Sequence, residues 1–204
     1  MYHSFNLAEG VGDDPNAVSA NWARWHAAHP RVRLARLQQV HGNRVHPIGS
    51  DYDGVRGIGD GMVTDVPGIV LAIFTADCVP VLMIDDGTGI AGALHAGWRE
   101  TLADIASEGV SAMAALGARS HRIRVALGPS IGSCCFEVDA ELAERFVSHI
   151  PAAAACCRSG RPGKEHLDLR GAIRLQLREA GVADSSIVDI GPCTRCSADR
   201  FFSR

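Results

Sequence analysis

Apolar residues change spacing several times along the chain, and the changes mark out elements. Asp13-Asp14-Pro15-Asn16 reads as a turn and N-cap that opens a short amphipathic helix over residues 17–28, stopped by Pro30. Residues 31–40 carry strand-like alternation at Val32 and Leu34 that slips near Ala35, and the run ends at Gln38-Gln39-Val40-His41-Gly42-Asn43, which places His41 at a strand end. Residues 49–60, rich in Gly and Asp, predict a surface loop. Residues 69–76 and 79–84 are apolar, β-branched runs on either side of Asp77-Cys78, and their character predicts buried strands covered on both faces. Asp85-Asp86-Gly87-Thr88-Gly89 is a turn, so residues 90–94 return as the second strand of a hairpin and deliver His95 at its end. Gly97 lets the chain swing into one helix that places Trp98, Leu102, Ile105, Val110, Met113 and Leu116 at helical spacing, with Gly117 as its stop. A strand over Ile123–Leu127, helices over 138–149 and 167–180, and a strand over 187–190 complete the pattern. Strands neither alternate strictly with helices nor segregate from them, and no repeat or long linker intervenes. An α+β fold with mixed sheets covered by helices, as one domain over residues 1–204, is expected.

Composition narrows the function classes. The 204 residues are 47% hydrophobic and 21% charged, near globular averages. Twenty Lys plus Arg against 23 Asp plus Glu leave a formal charge of −3, so no broad basic face is expected to follow a phosphate backbone, and nucleic acid is not the expected partner. The longest uncharged stretches run to about a dozen residues, short of the ~20 of a membrane helix, so no membrane is expected. Met1-Tyr2-His3-Ser4-Phe5-Asn6 has neither a basic nor an apolar signal region, which points to the cytoplasm. The seven cysteines include the vicinal pairs Cys134-Cys135 and Cys156-Cys157, a poor disulfide framework, and are read as reduced thiols.

Three candidate ligands, His41, Cys78 and His95, fall at the ends of apolar strands, where side chains from different strands can converge on one cleft. Two imidazoles and a thiolate suit Zn²⁺ or copper and leave a fourth position open for water or substrate. From the pattern alone, a buried Cys78 and two loop-capping histidines fit somewhat better. In His95-Ala96-Gly97-Trp98-Arg99, a strand-to-helix turn exposes backbone N–H groups that attract anions, and Arg99 could add a cationic fork for phosphate or carboxylate, or be a solvated first-turn arginine. Asp77, beside the thiol, is a candidate general acid or an orienter of the ligand, or simply a turn cap. His166-Leu167-Asp168 with Pro192-Cys193-Thr194-Arg195-Cys196 approximates the zinc nucleobase deaminase pattern only in its second half. Asp168 is a methylene shorter than the required Glu, and a lone C-x-x-C without a second ligand pair is a poor zinc signal, so Cys193 and Cys196 are expected to be structural.

Taken together, Leu37-Gln38-Gln39-Val40-His41-Gly42-Asn43, Asp60-Gly61-Met62-Val63-Thr64-Asp65, Thr75-Ala76-Asp77-Cys78-Val79-Pro80-Val81 and His95-Ala96-Gly97-Trp98-Arg99 resemble the YfiH-type, or laccase-domain, family, also called multicopper polyphenol oxidase-like. Gly128-Pro129-Ser130-Ile131-Gly132, Cys135-Phe136-Glu137-Val138, His166-Leu167-Asp168-Leu169, Cys193-Thr194-Arg195-Cys196 and Phe201-Phe202-Ser203 extend the match over nearly the whole chain. The resemblance implies a four-layer α/β/β/α sandwich. It also implies a catalytic metal, zinc or sometimes copper, on His41, Cys78 and His95, with Asp77 in the catalytic set and Gln39, Arg44 and Arg99 on the substrate. The implied activity is that of a purine nucleoside phosphorylase on adenosine, inosine or methylthioadenosine with phosphate, beside adenosine deamination and weak phenol oxidation. A bacterial branch edits peptidoglycan precursors. Departures are a start at residues 2–7 where relatives carry a further N-terminal strand, so that an edge strand is expected to be missing, Glu100 in place of a usual Gly beside the expected anion site, and Ile173 in place of a common Asn. A laccase cluster needs more histidines than one such site supplies, although the ligand set resembles a blue-copper centre. The alternatives are a metal-free cysteine hydrolase with Cys78 as nucleophile or a peptidoglycan-precursor editing enzyme using Cys78, and, further, a non-enzymatic accessory protein.

Overall fold

The computed structural model describes residues 5–52 and 54–203. In chain order the first half comprises α1 (Pro15–Ala28), β1 (Arg33–Gln38), β2 (Val45–Pro47), β3 (Val55–Ile58), β4 (Gly61–Thr64), β5 (Ile69–Leu71), β6 (Val79–Asp85) and β7 (Ile90–Ala96). The second comprises α2 (Trp98–Leu102), α3 (Ile105–Ala115), β8 (Ile123–Leu127), β9 (Glu137–Asp139), α4 (Ala140–His149), β10 (Cys157–Ser159), β11 (Lys164–Leu167), α5 (Leu169–Glu179) and β12 (Ile187–Asp189).

The turn at residues 85–89 closes the β6–β7 hairpin, with Asp85 Oδ1 accepting from the Gly87 N–H at 2.9 Å. Around that hairpin grows a mixed six-stranded sheet in the order β12-β8-β6-β7-β4-β2. A parallel sheet, β3-β1-β5, lies against it, and an antiparallel sheet, β10-β11-β9, packs with α4. Strand β4 shows why two sheets stack: all four of its residues are buried, with Val63 in the core shared with α3 and Met62 in a second core with Ala35, Leu37, Ile48 and Tyr52. A strand covered on both faces loses the polar alternation of a half-exposed one. Outside the small sheet, α1 is held through Trp22, whose ring lies 4.5 Å below the Arg36 guanidinium of β1 and whose indole N–H donates to Leu7 O at 3.0 Å. The order α1, small sheet, large sheet and α3 with α5 is the four-layer α/β/β/α sandwich.

Four expectations need correction. The Gly- and Asp-rich segment holds strand β3, because parallel pairing with β1 satisfies its backbone. Residues 69–76 form a strand only over Ile69–Leu71 before becoming irregular. The small sheet covers only part of the large one, so Leu82 and Ile84 of β6 are exposed on the far face while Val81 and Met83 are buried. The single helix from Trp98 is two, because Asp104 takes a left-handed φ of 62° and resets the hydrogen-bond ladder. The Gln176 amide of α5 donates to Thr101 O at 2.6 Å and satisfies a carbonyl at that break.

Candidate metal centre

Antiparallel pairing of β6 with β7 sets Pro80 opposite His95 and Val79 opposite Ala96, so Cys78, one residue before β6, stands beside His95. His41 comes from the other sheet, on the turn that leaves β1. The ligand atoms of His41, Cys78 and His95 all lie within 4.8 Å of one another. Positive φ at two non-glycine residues shapes the group: at His41 itself, 61°, and at Asp77, which precedes Cys78, 81°. Such backbone persists only where its surroundings over-determine it.

Asp60 holds the His41 turn. Its fully buried carboxylate accepts from the N–H groups of Val40 at 3.2 Å, His41 at 3.1 Å and Gly42 at 2.8 Å, and from Nδ1 of His95 at 2.9 Å. Burial pushes its pKa upward, but His95 and the three backbone donors prevail and hold it below the usual carboxylate value. Glu100, also fully buried, stands behind both rings: its Oε1 is 2.7 Å from Nδ1 of His41 and 2.9 Å from Nδ1 of His95. Burial raises its pKa too, and the two histidines bring it below its ordinary value. With Nδ1 of each ring turned to a carboxylate, Nε2 remains on each for the open side. His95 also hydrogen-bonds the Cys78 thiol. Burial alone would make His95 less basic, yet Asp60, Cys78 and Glu100 push its pKa up to about 11. Gly97 is required by close approach, since a Cβ there would lie 2.7 Å from Cys78 Sγ and 2.9 Å from Glu100 Oε2.

This donor set suits one borderline-soft cation. Two imidazoles and a sulfur converge, and among the described residues the ion-pair partners of the Asp60 and Glu100 carboxylates are histidines. Glu100 Oε2 is buried without a hydrogen-bond partner. Such a cluster of negative charge is complemented by a metal or by protonated rings.

The three residues form the floor of a cavity of about 670 Å³, walled by Phe74, Phe201 and Phe202 among others. Gln39 lines it, but both ends of its amide are engaged by the Phe74 backbone, at 2.9 and 2.7 Å, so it fixes the wall. Asp77 does not line it; its Oδ1 accepts from Thr194 Oγ1 at 2.6 Å. Arg44 is exposed and contributes its backbone carbonyl to Asp60 and Gly61, and Arg99 is exposed with its guanidinium 4.2 Å from the Trp98 ring centre; neither lines the cavity. Sequence reasoning placed Glu100 beside an anion site, whereas in the first turn of α2 it lies inward behind the histidines. It also left Asp60 without a role, although an acid at the entry to the apolar run Gly61-Met62-Val63 was a signal.

The profile of the family described as multi-copper polyphenol oxidoreductase laccase matches residues 1–204. The chain belongs to that family. An adenosine deaminase, RL5, from an unknown prokaryotic organism is 43% identical over 216 residues, covering 99% of this chain and 81% of the relative. A purine nucleoside phosphorylase of Deinococcus radiodurans is 40% identical over 203 residues, covering 98% and 76%. Among solved structures, YlmD from Geobacillus stearothermophilus superimposes with a TM-score of 0.89 at 35% identity, covering 98% of this chain and 78% of that one. Against the family's multi-copper description, His41 and His95 are the only histidines that enter a metal-capable group among the described residues. A multinuclear copper cluster needs more.

Proposed function

We propose that this chain is a metal-dependent purine nucleoside phosphorylase that releases adenine or hypoxanthine from adenosine, inosine or methylthioadenosine and forms a ribose 1-phosphate, with adenosine deamination and weak phenol oxidation as side activities. The observation that carries the reading is the convergence of His41, Cys78 and His95 on the floor of an aromatic-walled cavity whose size falls in the range of small-molecule sites. The relatives named for phosphorolysis and for deamination support the same substrate class.

In this reading Phe74 and Phe201 offer flat apolar faces to the base. His41, Cys78 and His95 hold the ion, zinc or alternatively copper, while Asp60 and Glu100 keep the Nδ1 proton of each ring on the far side and fix its tautomer. Bound there, the ion supplies a positive charge that polarises the purine or the phosphate, a charge that no lysine or arginine among the described lining residues provides. Gln39 fixes the Phe74 wall. Asp77 is a positioning residue, because its grip on Thr194 ties the Cys78 corner to the C-terminal segment that carries Phe201.

One observation favours a second reading. Cys78, His95 and Asp60 form a hydrogen-bonded chain like that of a cysteine hydrolase, with His95 as base and Asp60 as its orienter. The test is adenosine incubated with the chain, with and without phosphate and before and after chelation. The phosphorylase reading expects adenine and ribose 1-phosphate that depend on both phosphate and metal. Inosine formed at equal rates in either buffer makes the chain a deaminase first, and hydrolysis that survives chelation with an adduct on Cys78 favours the cysteine mechanism.

A further inference from the structure

Away from the floor of the cavity, a second group of potential ligands gathers where the sequence offered only a lone C-x-x-C. Cys134, Cys135, Cys193 and Cys196 bring four sulfurs within 4.8 Å of one another, with Cys196 Sγ 3.6 Å from Cys134 Sγ and 3.4 Å from Cys135 Sγ. All four cysteines are free, and these separations far exceed the ~2.05 Å of a disulfide bond. For an ion held tetrahedrally about 2.3 Å from each sulfur, the sulfurs stand about 3.8 Å apart, a value inside the observed spread. An iron–sulfur cluster interposes its own iron and sulfide between the cysteines and needs them farther apart.

We propose that these four cysteines form a second metal site, a structural tetrathiolate zinc centre distinct from the His41, Cys78 and His95 floor.

The surrounding backbone is shaped for such a site. The Gly132 N–H points at Cys193 Sγ at 3.2 Å, and the Cys196 N–H also hydrogen-bonds that sulfur, so two donors face the sulfur that opens the C-x-x-C turn. Donors of this kind stabilise a coordinated thiolate. Gly132 O accepts from the N–H groups of Cys135 and Phe136, both at 2.9 Å, which folds the vicinal pair back on itself and turns both thiols to one side. A Cβ on Gly132 would lie 3.2 Å from Cys134 Sγ and 3.2 Å from Cys193 Cβ, so glycine leaves the room the sulfurs use. Cys134 and Cys196 are exposed, which gives an ion its way in. Thiols are weak hydrogen-bond partners for one another, and four of them packed together without an ion gain little.

The site would staple two irregular segments. The turn at residues 128–136 meets the C-terminal segment through the Ser130 and Cys193 bridge and the Thr194 N–H to Ser130 O bond of 3.0 Å. The first segment supports Asp77 through Ile131 N–H at 2.8 Å, and the second through Thr194 Oγ1 at 2.6 Å and carries Phe201 and Phe202 into the cavity. No helix or strand follows β12 among the described residues, and turns hold the C-terminal segment, so a four-sulfur clip adds a tie that regular secondary structure does not.

The test is zinc content per chain in three full-length proteins purified under reducing conditions: the native sequence, Cys78→Ala, and Cys134→Ser with Cys196→Ser. The two serine positions are exposed and do not line the cavity. The expected result is that Cys78→Ala keeps one equivalent of zinc and the double serine variant loses that equivalent and melts lower. Replacing zinc by cobalt(II) in Cys78→Ala should give the intense charge-transfer and tetrahedral bands of four thiolates, a readout that stands even if the serine variant fails to fold. Cys78→Ala that holds no zinc and takes up none when it is added would overturn the site, as would a disulfide among the four cysteines in reduced, zinc-supplied protein. Because this count is made with Cys78 removed, its failure says nothing about the cavity floor.

Discussion

Nδ1 of His41 stands 2.7 Å from Oε1 of Glu100, a carboxylate with no exposure to solvent. The same oxygen lies 2.9 Å from Nδ1 of His95, so one buried acid serves two rings that come from different sheets. Replacing it by Gln keeps the shape and removes the charge. Glu100→Gln should weaken metal binding at this floor by about 10- to 100-fold with little change in fold, read by competition against a chromophoric chelator. An unchanged affinity would show that Glu100 does not orient the histidines.

Gly97 accepts alanine on backbone grounds, with φ of −87° and ψ of −171°, but the added Cβ would meet Cys78 Sγ at 2.7 Å. Gly97→Ala should therefore displace the thiol, lower stability by about 1–3 kcal/mol and remove metal from the floor. Native metal affinity in a folded Gly97→Ala chain would mean that Cys78 is not a ligand.

Protons and metal compete for His95. In metal-free protein its folded pKa, about 11, lies above the unfolded value near 6.5, because the pull of Asp60, Cys78 and Glu100 exceeds the effect of burial. A raised pKa stabilises the fold fully below about pH 6.5, and that contribution is lost as pH rises through the folded value. Chelated protein should lose stability between about pH 7 and 10, and chelated His95→Asn should show a flatter profile across that window. Parallel melting curves for the two would contradict the assignment of a charged His95 in the metal-free state.

Arg170 of α5 donates to Ser130 Oγ at 2.6 Å, to Ser130 O at 3.2 Å, to Gly191 O at 2.8 Å and to Pro192 O at 3.0 Å. A planar fork meets these acceptors, and an ammonium cannot. Arg170→Ala should cost about 1.5–3 kcal/mol in urea unfolding, with Arg170→Lys recovering little. A loss below about 0.5 kcal/mol would show that other contacts hold the C-terminal segment.

Strand ends were legible in the sequence because hydrophobic runs stop there, and the turn at residues 85–89 put Cys78 and His95 at the same end of one hairpin. The acids behind the histidines were not. Glu100 sits at a position that the periodicity of one continuous helix assigns to an exposed face, but it lies in the first turn of a separate short helix, α2, whose own buried side holds Glu100 and Thr101. The neighbours of Cys193 and Cys196 were hidden for another reason: the second pair, Cys134-Cys135, is vicinal, lies far away in sequence, and is brought beside them by tertiary contacts such as the Ser130 and Cys193 bridge. Exposure of Leu82 and Ile84 was missed because an apolar run does not record how much of a sheet its neighbour covers.

The central claim is that nucleoside cleavage depends on an ion held by His41, Cys78 and His95. The most direct measurement is adenine released from adenosine in phosphate, followed on native chain and Cys78→Ala samples whose zinc and copper contents are determined in parallel. The account predicts release in proportion to metal at the floor, with adenine and ribose 1-phosphate formed in equal amounts and none from Cys78→Ala even when the four-cysteine site is filled. Undiminished adenine release from protein shown by elemental analysis to be free of metal would contradict it.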